Sequence, residues 1–389
     1  MNNWRPKEII INRSVDNDPV TKYFLNQCPD VPVKYVSSGN SERIKKASQI
    51  ISNAGTLLLD KILAGKEVVY IAPAGEVVDR FKMPDTRIAC PHFNRLKLAY
   101  NGCFYRCEWC YLKLTCRAKT PFITVRAEYG KIKAQVQKKL SQSPNSIMYN
   151  AGELADSLSM EHLTRAGQEF IPWFGETKNG YLFMLTKSGN VGPILDLPHN
   201  GRTILAWSLN APLISNKFEI GAPPFKERLE AARKAEKAGY RVRIRLDPIV
   251  FFKDWKTVYA QTIKEIFSQI DPERITLGTL RFETGFYQMR NSLFTTGPFL
   301  PKLVEEMKPM FKGKIFPGYK KPKIGKYSFG LNKRIKNFRF VINQIRKYSK
   351  APIALCKEDR RVWKFVGLDL RKCRCVCQLD SADMTKINE

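Results

Sequence analysis

The sequence has 389 residues, of which 43% are hydrophobic, and 66 Lys and Arg against 36 Asp and Glu give a formal net charge of +30. A chain of this length buries a sizeable core and is expected to form one large domain with additions, or two domains. Its apolar runs are far shorter than the roughly 20 residues that span a bilayer, and residues 1–12 lack the apolar segment of a signal peptide. We therefore expect a cytoplasmic protein without a membrane partner. The excess of positive charge favours a nucleic acid, DNA or RNA, as partner; the alternative is a soluble protein with a generally basic surface.

Residues 1–90 are predicted to form an N-terminal α/β extension. Short apolar segments predict strands at 8–11, 32–36 and 68–71. Helical periodicity predicts helices at 19–28 and 41–63.

From residue 91 the pattern changes to an alternation of strands and helices. Repeated βα units indicate a parallel sheet, so residues 91–300 are predicted to form a partial (β/α)6 barrel with its chemistry at the C-terminal ends of the strands. The predicted strands are 95–99, 146–150, 181–185, 203–209, 242–247 and 275–280, and the helices between them are 127–141, 160–170, 226–238 and 257–270.

Residues 301–389 are predicted to be a basic C-terminal region with a Cys-rich tail. Residues 301–350 contain 12 Lys and 3 Arg but only two acids, with aromatic residues interleaved. This mixture suits contacts with phosphates and stacked bases; the alternative is a solvated helix face with core aromatics. In the tail Cys373, Cys375 and Cys377, with Cys356 upstream, supply enough thiols for a second metal site, a cluster or a zinc ion. The alternative there is a tail without function.

The most informative segment directly follows the first predicted barrel strand. Cys103, Cys107 and Cys110 have the spacing C-x3-C-x2-C. In a reducing compartment such closely spaced thiols indicate metal ligands rather than disulfides. Three thiolates can hold three irons of a [4Fe–4S] cluster and leave one iron open to chemistry. The alternative is a structural zinc site with Cys116 or His92 as fourth ligand.

This segment resembles the signature of the radical S-adenosylmethionine (SAM) superfamily. In that superfamily the free iron binds SAM, and an electron from the reduced cluster cleaves SAM to a 5′-deoxyadenosyl radical. Within the superfamily the chain is similar to the spore photoproduct lyase family, whose known member repairs a thymine dimer in DNA. The similarity covers most of the chain and rests on Pro224 and on segments 110–112, 186–187, 208–210, 228–232, 238–240 and 325–327.

The resemblance implies a radical SAM enzyme of the lyase type that acts on a nucleic acid, in DNA repair or modification, with an electron donor such as flavodoxin or ferredoxin. It implies that Lys187, Ser208 and Asn210 contact SAM and that Tyr111 lies near the path of the radical. An ammonium and a hydroxyl at strand ends suit the carboxylate and ribose of SAM; the alternative for Ser208 and Asn210 is strand-end hydrogen bonding to a neighbouring loop. The alternatives are a radical SAM enzyme for a small molecule or peptide, and a non-catalytic nucleic-acid-binding protein with an Fe–S or zinc site.

Two positions depart from the lyase pattern. Glu153 stands where the lyase has the cysteine that donates a hydrogen atom, and a carboxylate is a poor donor of hydrogen atoms. Trp109 replaces a tyrosine that is assigned to work with that cysteine. The segment 151–153 also resembles the Gly-Gly-Glu segment whose acid binds the methionine amino group in many radical SAM enzymes, which gives Glu153 a catalytic or SAM-binding role; the alternative is an acid at a helix N-terminus. Cys90 and Cys116 flank the triad and are candidates for a replacement hydrogen donor.

Overall fold

The structure is a computed structural model that describes residues 4–83, 87–115, 119–295, 299–311 and 326–379. Within these residues the strands are β1 Glu8–Asn12, β2 Val33–Val36, β3 Val68–Ala72, β4 Val78–Phe81, β5 Ile88–Ala89, β6 Phe93–Leu96, β7 Ala99–Tyr100, β8 Ile123–Arg126, β9 Ile147–Asn150, β10 Gly180–Thr186, β11 Thr203–Leu209, β12 Arg241–Ile249, β13 Arg274–Thr279, β14 Arg281–Glu283, β15 Lys308–Pro309, β16 Lys326–Ser328, β17 Ile353–Leu355 and β18 Glu358–Asp359. The α-helices are α1 Pro19–Asn26, α2 Ser41–Ala47, α3 Gln49–Ser52, α4 Leu58–Gly65, α5 Leu112–Thr115, α6 Tyr129–Ser141, α7 Glu161–Thr164, α8 Ala166–Glu176, α9 Pro212–Phe218, α10 Phe225–Lys237, α11 Trp255–Phe267, α12 Thr284–Gln288, α13 Arg290–Leu293, α14 Phe299–Glu305, α15 Leu331–Ile345 and α16 Arg360–Phe365.

The N-terminal sheet has the strand order β2-β1-β3-β8-β7, in which β7 pairs antiparallel with β8 and the other pairs are parallel. Ile9, Ile10 and Ile11 in β1 are all completely buried, as expected for a parallel strand that is covered on both faces. The strands predicted at 8–11, 32–36 and 68–71 are confirmed as β1, β2 and β3.

The helix predicted over 41–63 is wrong in its continuity, because the chain forms α2, α3 and α4 instead. Ser48 leaves the helical conformation, with a ψ of 119°, and its hydroxyl accepts a hydrogen bond from Ile51 N at 3.1 Å as the N-cap of α3. The same hydroxyl donates to the buried carboxylate of Glu8 in β1. A contact with a distant strand therefore accompanies the break after α2.

The second sheet has the strand order β17-β13-β12-β11-β10-β9-β6-β4. Neighbouring strands from β17 to β6 are parallel, and β4 pairs antiparallel with β6. The predicted barrel strands correspond to β6, β9, β10, β11, β12 and β13 in chain order, and the predicted helices correspond to α6, to α7 with α8, to α10 and to α11. This confirms the partial (β/α)6 barrel. The sequence analysis missed β4 and β17, which extend the sheet at its two ends.

Two predicted elements differ from the structure in their bounds or continuity. The strand predicted over 95–99 ends at Leu96, and the next residues to pair, Ala99–Tyr100, belong to the N-terminal sheet. The helix predicted over 160–170 is interrupted at Arg165, whose φ of 53° lies in the left-handed region and separates α7 from α8.

Residues from the C-terminal region add a strand to the barrel sheet and pack against it. β17 pairs with β13 in the barrel sheet, and β18 pairs antiparallel with β5. Arg243 in β12 and Arg274 in β13 each donate to the carbonyl of Gln378 at 2.7 Å, which holds the tail against the sheet. Among the helices of the described residues, none combines the length and the apolar character of a membrane-spanning segment.

Candidate active site

A cavity lies at the C-terminal ends of the barrel strands. Its walls come from the loop after β7, from the residues that follow β9 and β10, from β11 and β12, and from the C-terminal region. This is the edge at which parallel barrels place their chemistry. The predicted site residues that line the cavity are Cys103, Cys107, Cys110, Tyr111, Glu153, Lys187 and Ser208.

The thiol loop, residues 101–111, is anchored through its backbone to the last residue of α9 and to the chain just after it. Arg106 N donates to Ile220 O at 2.7 Å, and Glu108 N donates to Phe218 O at 2.9 Å. These bonds satisfy backbone groups that would otherwise be costly to bury.

The N-terminal extension holds the thiol loop from another side. The ammonium of Lys66, which is 1% exposed, donates to the carbonyl of Cys103 at 3.1 Å and to that of Tyr105. Trp4 stacks on Phe104, with 4.4 Å between the ring centroids. A buried positive charge therefore lies directly behind the backbone that carries the thiols.

A buried ion pair joins the loop to α5. Glu108 and Lys113 have side-chain exposures of 0% and 2%, and 3.3 Å separates Lys113 Nζ from Glu108 Oε2. Lys113 also donates to Leu293 O at 2.8 Å, and Thr295 N donates to Glu108 at 2.9 Å. Because both charges have further hydrogen-bond partners, the pair fixes the loop against the segment that follows α13.

The three thiols of the loop fit the donor set of a [4Fe–4S] cluster, which takes Cys thiolates as ligands. Burial raises the pKa of Cys107 to about 12, and the nearby ammonium of Lys187 opposes this shift. In the described residues no three His, Cys, Asp or Glu side chains are gathered as ligands of one ion. Of the alternative zinc ligands, His92 does not line the cavity, and Cys116 lies outside the described residues.

A cation and a hydroxyl face the thiol loop from the ends of β10 and β11. Lys187 Nζ donates to Ser208 Oγ at 3.0 Å and lies 3.7 Å from Glu219 Oε1. Burial opposes the charged form of Lys187, but the nearby carboxylate of Glu219 favours it, and the pKa of Lys187 is raised. The ammonium therefore stays charged and can bind an anionic group in the cavity.

Asp156 fixes the position of Lys187. Its carboxylate accepts hydrogen bonds from Thr186 Oγ1 and Lys187 N, both at 2.6 Å, and from Leu158 N at 3.1 Å. Burial nevertheless raises the pKa of Asp156. The carboxylate of Asp156 thus links the chain after β9 to the end of β10.

Asn210 is directed away from the cavity. Its Nδ2 donates to Pro248 O at 2.9 Å, and its Oδ1 accepts from Tyr259 Oη at 2.7 Å and from Ala211 N at 2.9 Å. It is buried and is not among the lining residues. The structure thus brings Lys187 and Ser208 together but not Asn210, whose contact with SAM stays a prediction.

Glu153 is paired with Lys357, a residue that the sequence analysis missed. Glu153 Oε1 lies 3.2 Å from Lys357 Nζ, and the hydroxyl of Tyr111 donates to Glu153 O. The ammonium also lies 5.1 Å from the ring centroid of Phe81 and 5.7 Å from that of Tyr111. Burial opposes the charge of Lys357, but Glu153 outweighs it and raises the pKa of Lys357. Because the partners are 204 positions apart in the sequence, no local pattern could have predicted this pair.

Two arginines and an aspartate form a second missed group. Asp247 accepts from Arg245 and from Arg281, each at 3.0 Å. Although burial acts in the opposite direction, Arg281 and Arg245 hold the pKa of Asp247 well below its usual range. Both guanidinium groups also contact the thiol of Cys356, at 3.2 Å from Arg281. The alternation of Arg245 and Asp247 at the end of a strand, which puts both on one face, was the available signal.

The cysteines of the tail lie close to β13. Cys375 and Cys377 have their Sγ atoms 3.6 Å apart, and Thr276 Oγ1 donates to Cys375 Sγ at 3.6 Å. Since the described residues contain no group of three metal ligands, the second metal site predicted at Cys373, Cys375 and Cys377 has no support in the structure.

Comparison with known proteins identifies the family. The sequence model that matches residues 94–349 is that of spore photoproduct lyase. The spore photoproduct lyase of Geobacillus sp. (strain Y412MC61) is 32% identical over 230 residues, which make up 59% of this chain and 64% of the relative. That of Bacillus subtilis (strain 168) is 32% identical over 44% of this chain and 48% of the relative, so the chain matches less than two thirds of either protein's length. That of Clostridium acetobutylicum is 21% identical over 89% of this chain and 97% of the relative.

Solved structures of spore photoproduct lyase share the fold. One that is complexed with dinucleoside spore photoproduct has a TM-score of 0.75 and 23% identity, over 90% of this chain and 99% of that chain. A double mutant with bound AdoMet and dinucleoside spore photoproduct has a TM-score of 0.74 and 23% identity, over 91% of this chain and 98% of that chain. Because the family model spans the thiol loop, the barrel strands β6 to β13 and the basic segment up to residue 349, the chain belongs to the spore photoproduct lyase family of the radical SAM superfamily.

Proposed function

We propose that this chain is a radical SAM enzyme that reductively cleaves SAM and acts on a nucleic acid, in a repair or modification reaction related to photoproduct lysis. The observation that carries the proposal is that three thiols and a charged lysine face one cavity at the C-terminal ends of the barrel strands. When bound to Cys103, Cys107 and Cys110, a [4Fe–4S] cluster supplies an electron and an open iron site.

The residues opposite the thiol loop have the charges that SAM requires. The ammonium of Lys187 suits the carboxylate of SAM, and the hydroxyl of Ser208, 3.0 Å away, suits its ribose. The carboxylate of Glu153 suits the ammonium of SAM and would exchange Lys357 for this new partner. Asp156 acts as a positioning residue, because it binds the backbone of Lys187.

The charge of the chain supports a nucleic acid as substrate. A net charge of +30 and the 12 Lys and 3 Arg of residues 301–350 favour phosphate contacts. A solved relative is complexed with dinucleoside spore photoproduct, and we infer that a base lesion or modified base enters the cavity after leaving the base stack.

Glu153 and Trp109 set this chain apart from the lyase at the step that follows hydrogen abstraction. Cys90 is buried and does not line the cavity, and Cys116 lies outside the described residues. Tyr111 lines the cavity, is 40% exposed and has an O–H group, so we assign it the catalytic role beside the radical. An electron donor of the flavodoxin or ferredoxin type in a reducing, cytoplasmic compartment completes the proposal.

The test combines binding with turnover. Filter binding of the iron-loaded protein to undamaged DNA, UV-irradiated DNA and RNA over a salt series measures affinity, and 5′-deoxyadenosine release measures stimulation by each nucleic acid. Steeply salt-dependent binding with stimulation by one of them supports the proposal. Weak, salt-independent binding without stimulation would contradict the nucleic-acid substrate and favour the small-molecule or peptide alternative. Lys187→Met serves as the control, because it should weaken SAM binding and leave DNA affinity unchanged.

A further inference from the structure

The segment that carries the tail cysteines is bound to strands β12 and β13 of the barrel sheet. Arg243, Arg245 and Asp247 alternate along β12 and therefore share one face of the strand. Arg245 and Asp247 line the cavity, whereas Arg243 donates to the carbonyls of Val376 and Gln378. The tail and the cavity thus lie on the same face of the sheet, with Arg245 between them.

Two thiols of this segment are in direct contact. Cys377 Sγ donates to Cys375 Sγ at 3.6 Å. Cys375 is buried and Cys377 is partly exposed. Thr276 holds the segment in place, because its Oγ1 donates to Cys375 Sγ and accepts from Val376 N at 3.0 Å. The two sulfur atoms are therefore already in contact before any bond forms between them.

The surroundings favour a thiolate on one member of the pair only. The hydrogen bond from Cys377 lowers the pKa of Cys375, although burial opposes this shift; the positive charge of Arg245 and the hydrogen bond from Thr276 also lower it. By contrast, burial raises the pKa of Cys90 to about 12, so that this neighbouring thiol stays protonated. A thiolate beside a thiol is the arrangement in which oxidation proceeds to a disulfide.

We infer that Cys375 and Cys377 form a redox-active dithiol that a small peroxide closes to an intramolecular disulfide. The inference goes beyond the proposed function and does not depend on it. It assigns a role to the cysteine motif of the tail that the SAM cavity does not use.

The reaction balances with hydrogen peroxide as the oxidant. The thiolate of Cys375 attacks one peroxide oxygen, the O–O bond breaks, hydroxide leaves, and Cys375 becomes a sulfenic acid. The thiol of Cys377 then attacks the sulfur of Cys375, the S–O bond breaks, and water leaves with the proton of Cys377. Two electrons pass from the two sulfur atoms to the peroxide, and the Sγ–Sγ distance falls from 3.6 Å to about 2.0 Å.

The redox state of the pair would be felt in the cavity through Arg245. This guanidinium contacts Cys356 and Asp247 and is favoured by the negative charge of Cys375. Closing the disulfide removes that negative charge, whereas Asp247 keeps its hydrogen bond with Arg245. Oxidation of the pair would therefore change the charges around Arg245, which lines the cavity.

The test uses the full chain, reduced and then freed of reductant, treated with stoichiometric hydrogen peroxide and alkylated with iodoacetamide before digestion with trypsin. Cleavage after Arg374 separates Cys373 from the peptide that begins at Cys375. We expect that peptide to lose two hydrogens in mass and to resist alkylation at Cys375 and Cys377, and dithiothreitol should reverse both changes.

The variants distinguish the possible partners. Cys373→Ser should leave the oxidised peptide unchanged, whereas Cys377→Ser should abolish the loss of two hydrogens. If both cysteines of the wild-type peptide are alkylated after peroxide treatment, or if the peptide is linked to the one that carries Cys373 or Cys90, the inference is wrong. Because the wild-type digest alone decides this, misfolding of a variant would not leave the question open, and failure here would not affect the assay of SAM cleavage.

Discussion

The buried ion pair between the thiol loop and α5 gives the sharpest prediction about stability. Glu108→Gln removes one charge and leaves the ammonium of Lys113 buried, with 2% of its side chain exposed. Removing one partner of a buried ion pair costs about 3–5 kcal/mol, because the remaining charge is uncompensated. The glutamine can still accept the hydrogen bond of Thr295 N, which places the expected loss towards the lower end, at about 3 kcal/mol.

The assay is urea unfolding of the iron-free chain. The double variant Glu108→Gln/Lys113→Met should recover part of the loss, since it removes both charges. Glu42→Gln is the matched control, because Glu42 pairs with Lys45 on the surface with 71% of its side chain exposed, and such pairs contribute no more than about 1 kcal/mol. A loss in Glu108→Gln no larger than that in the control would refute the claim that this pair fixes the thiol loop.

Three further predictions follow from the site and its supports. Lys66→Met should reduce the iron bound per chain after anaerobic reconstitution, because two carbonyls of the thiol loop lose their donor; full iron content would contradict this. Glu153→Gln should weaken SAM binding about tenfold. Lys357→Met should strengthen it, because the ammonium of Lys357 competes with that of SAM for the carboxylate of Glu153. Calorimetric titration with SAM should therefore show a higher dissociation constant for the first variant and a lower one for the second. Burial lowers the pKa of His162 from 6.5, so the stability from its neutral form is complete above pH 6.5 and is lost as the pH falls through the folded-state pKa. His162→Gln should therefore flatten the pH dependence of the urea midpoint in that range, and an unchanged slope would contradict it.

The sequence was sufficient where structure follows from local pattern. The apolar runs of the barrel strands are buried on both faces, so periodicity located β9 to β13 to within a few residues. The strand ends then placed Lys187 and Ser208 in the cavity, since parallel strands end at one edge.

The parts that could not be predicted depend on contacts between distant residues. Lys357 reaches Glu153 only because β17 joins the barrel sheet. Asn210 follows the same strand as Ser208, but Tyr259 and Pro248 bind its side chain and hold it away from the cavity. Neither outcome is encoded by spacing or composition near the residue concerned.

The central claim is that the thiols of the loop hold a cluster at which SAM is cleaved. The most direct measurement is anaerobic reconstitution with iron and sulfide, followed by chromatography for 5′-deoxyadenosine after SAM and dithionite are added, with Cys107→Ala as control. We predict iron binding and 5′-deoxyadenosine in the wild-type chain and no 5′-deoxyadenosine in the variant. Absence of bound iron, or equal product from both proteins, would contradict the account and leave the loop as a structural element.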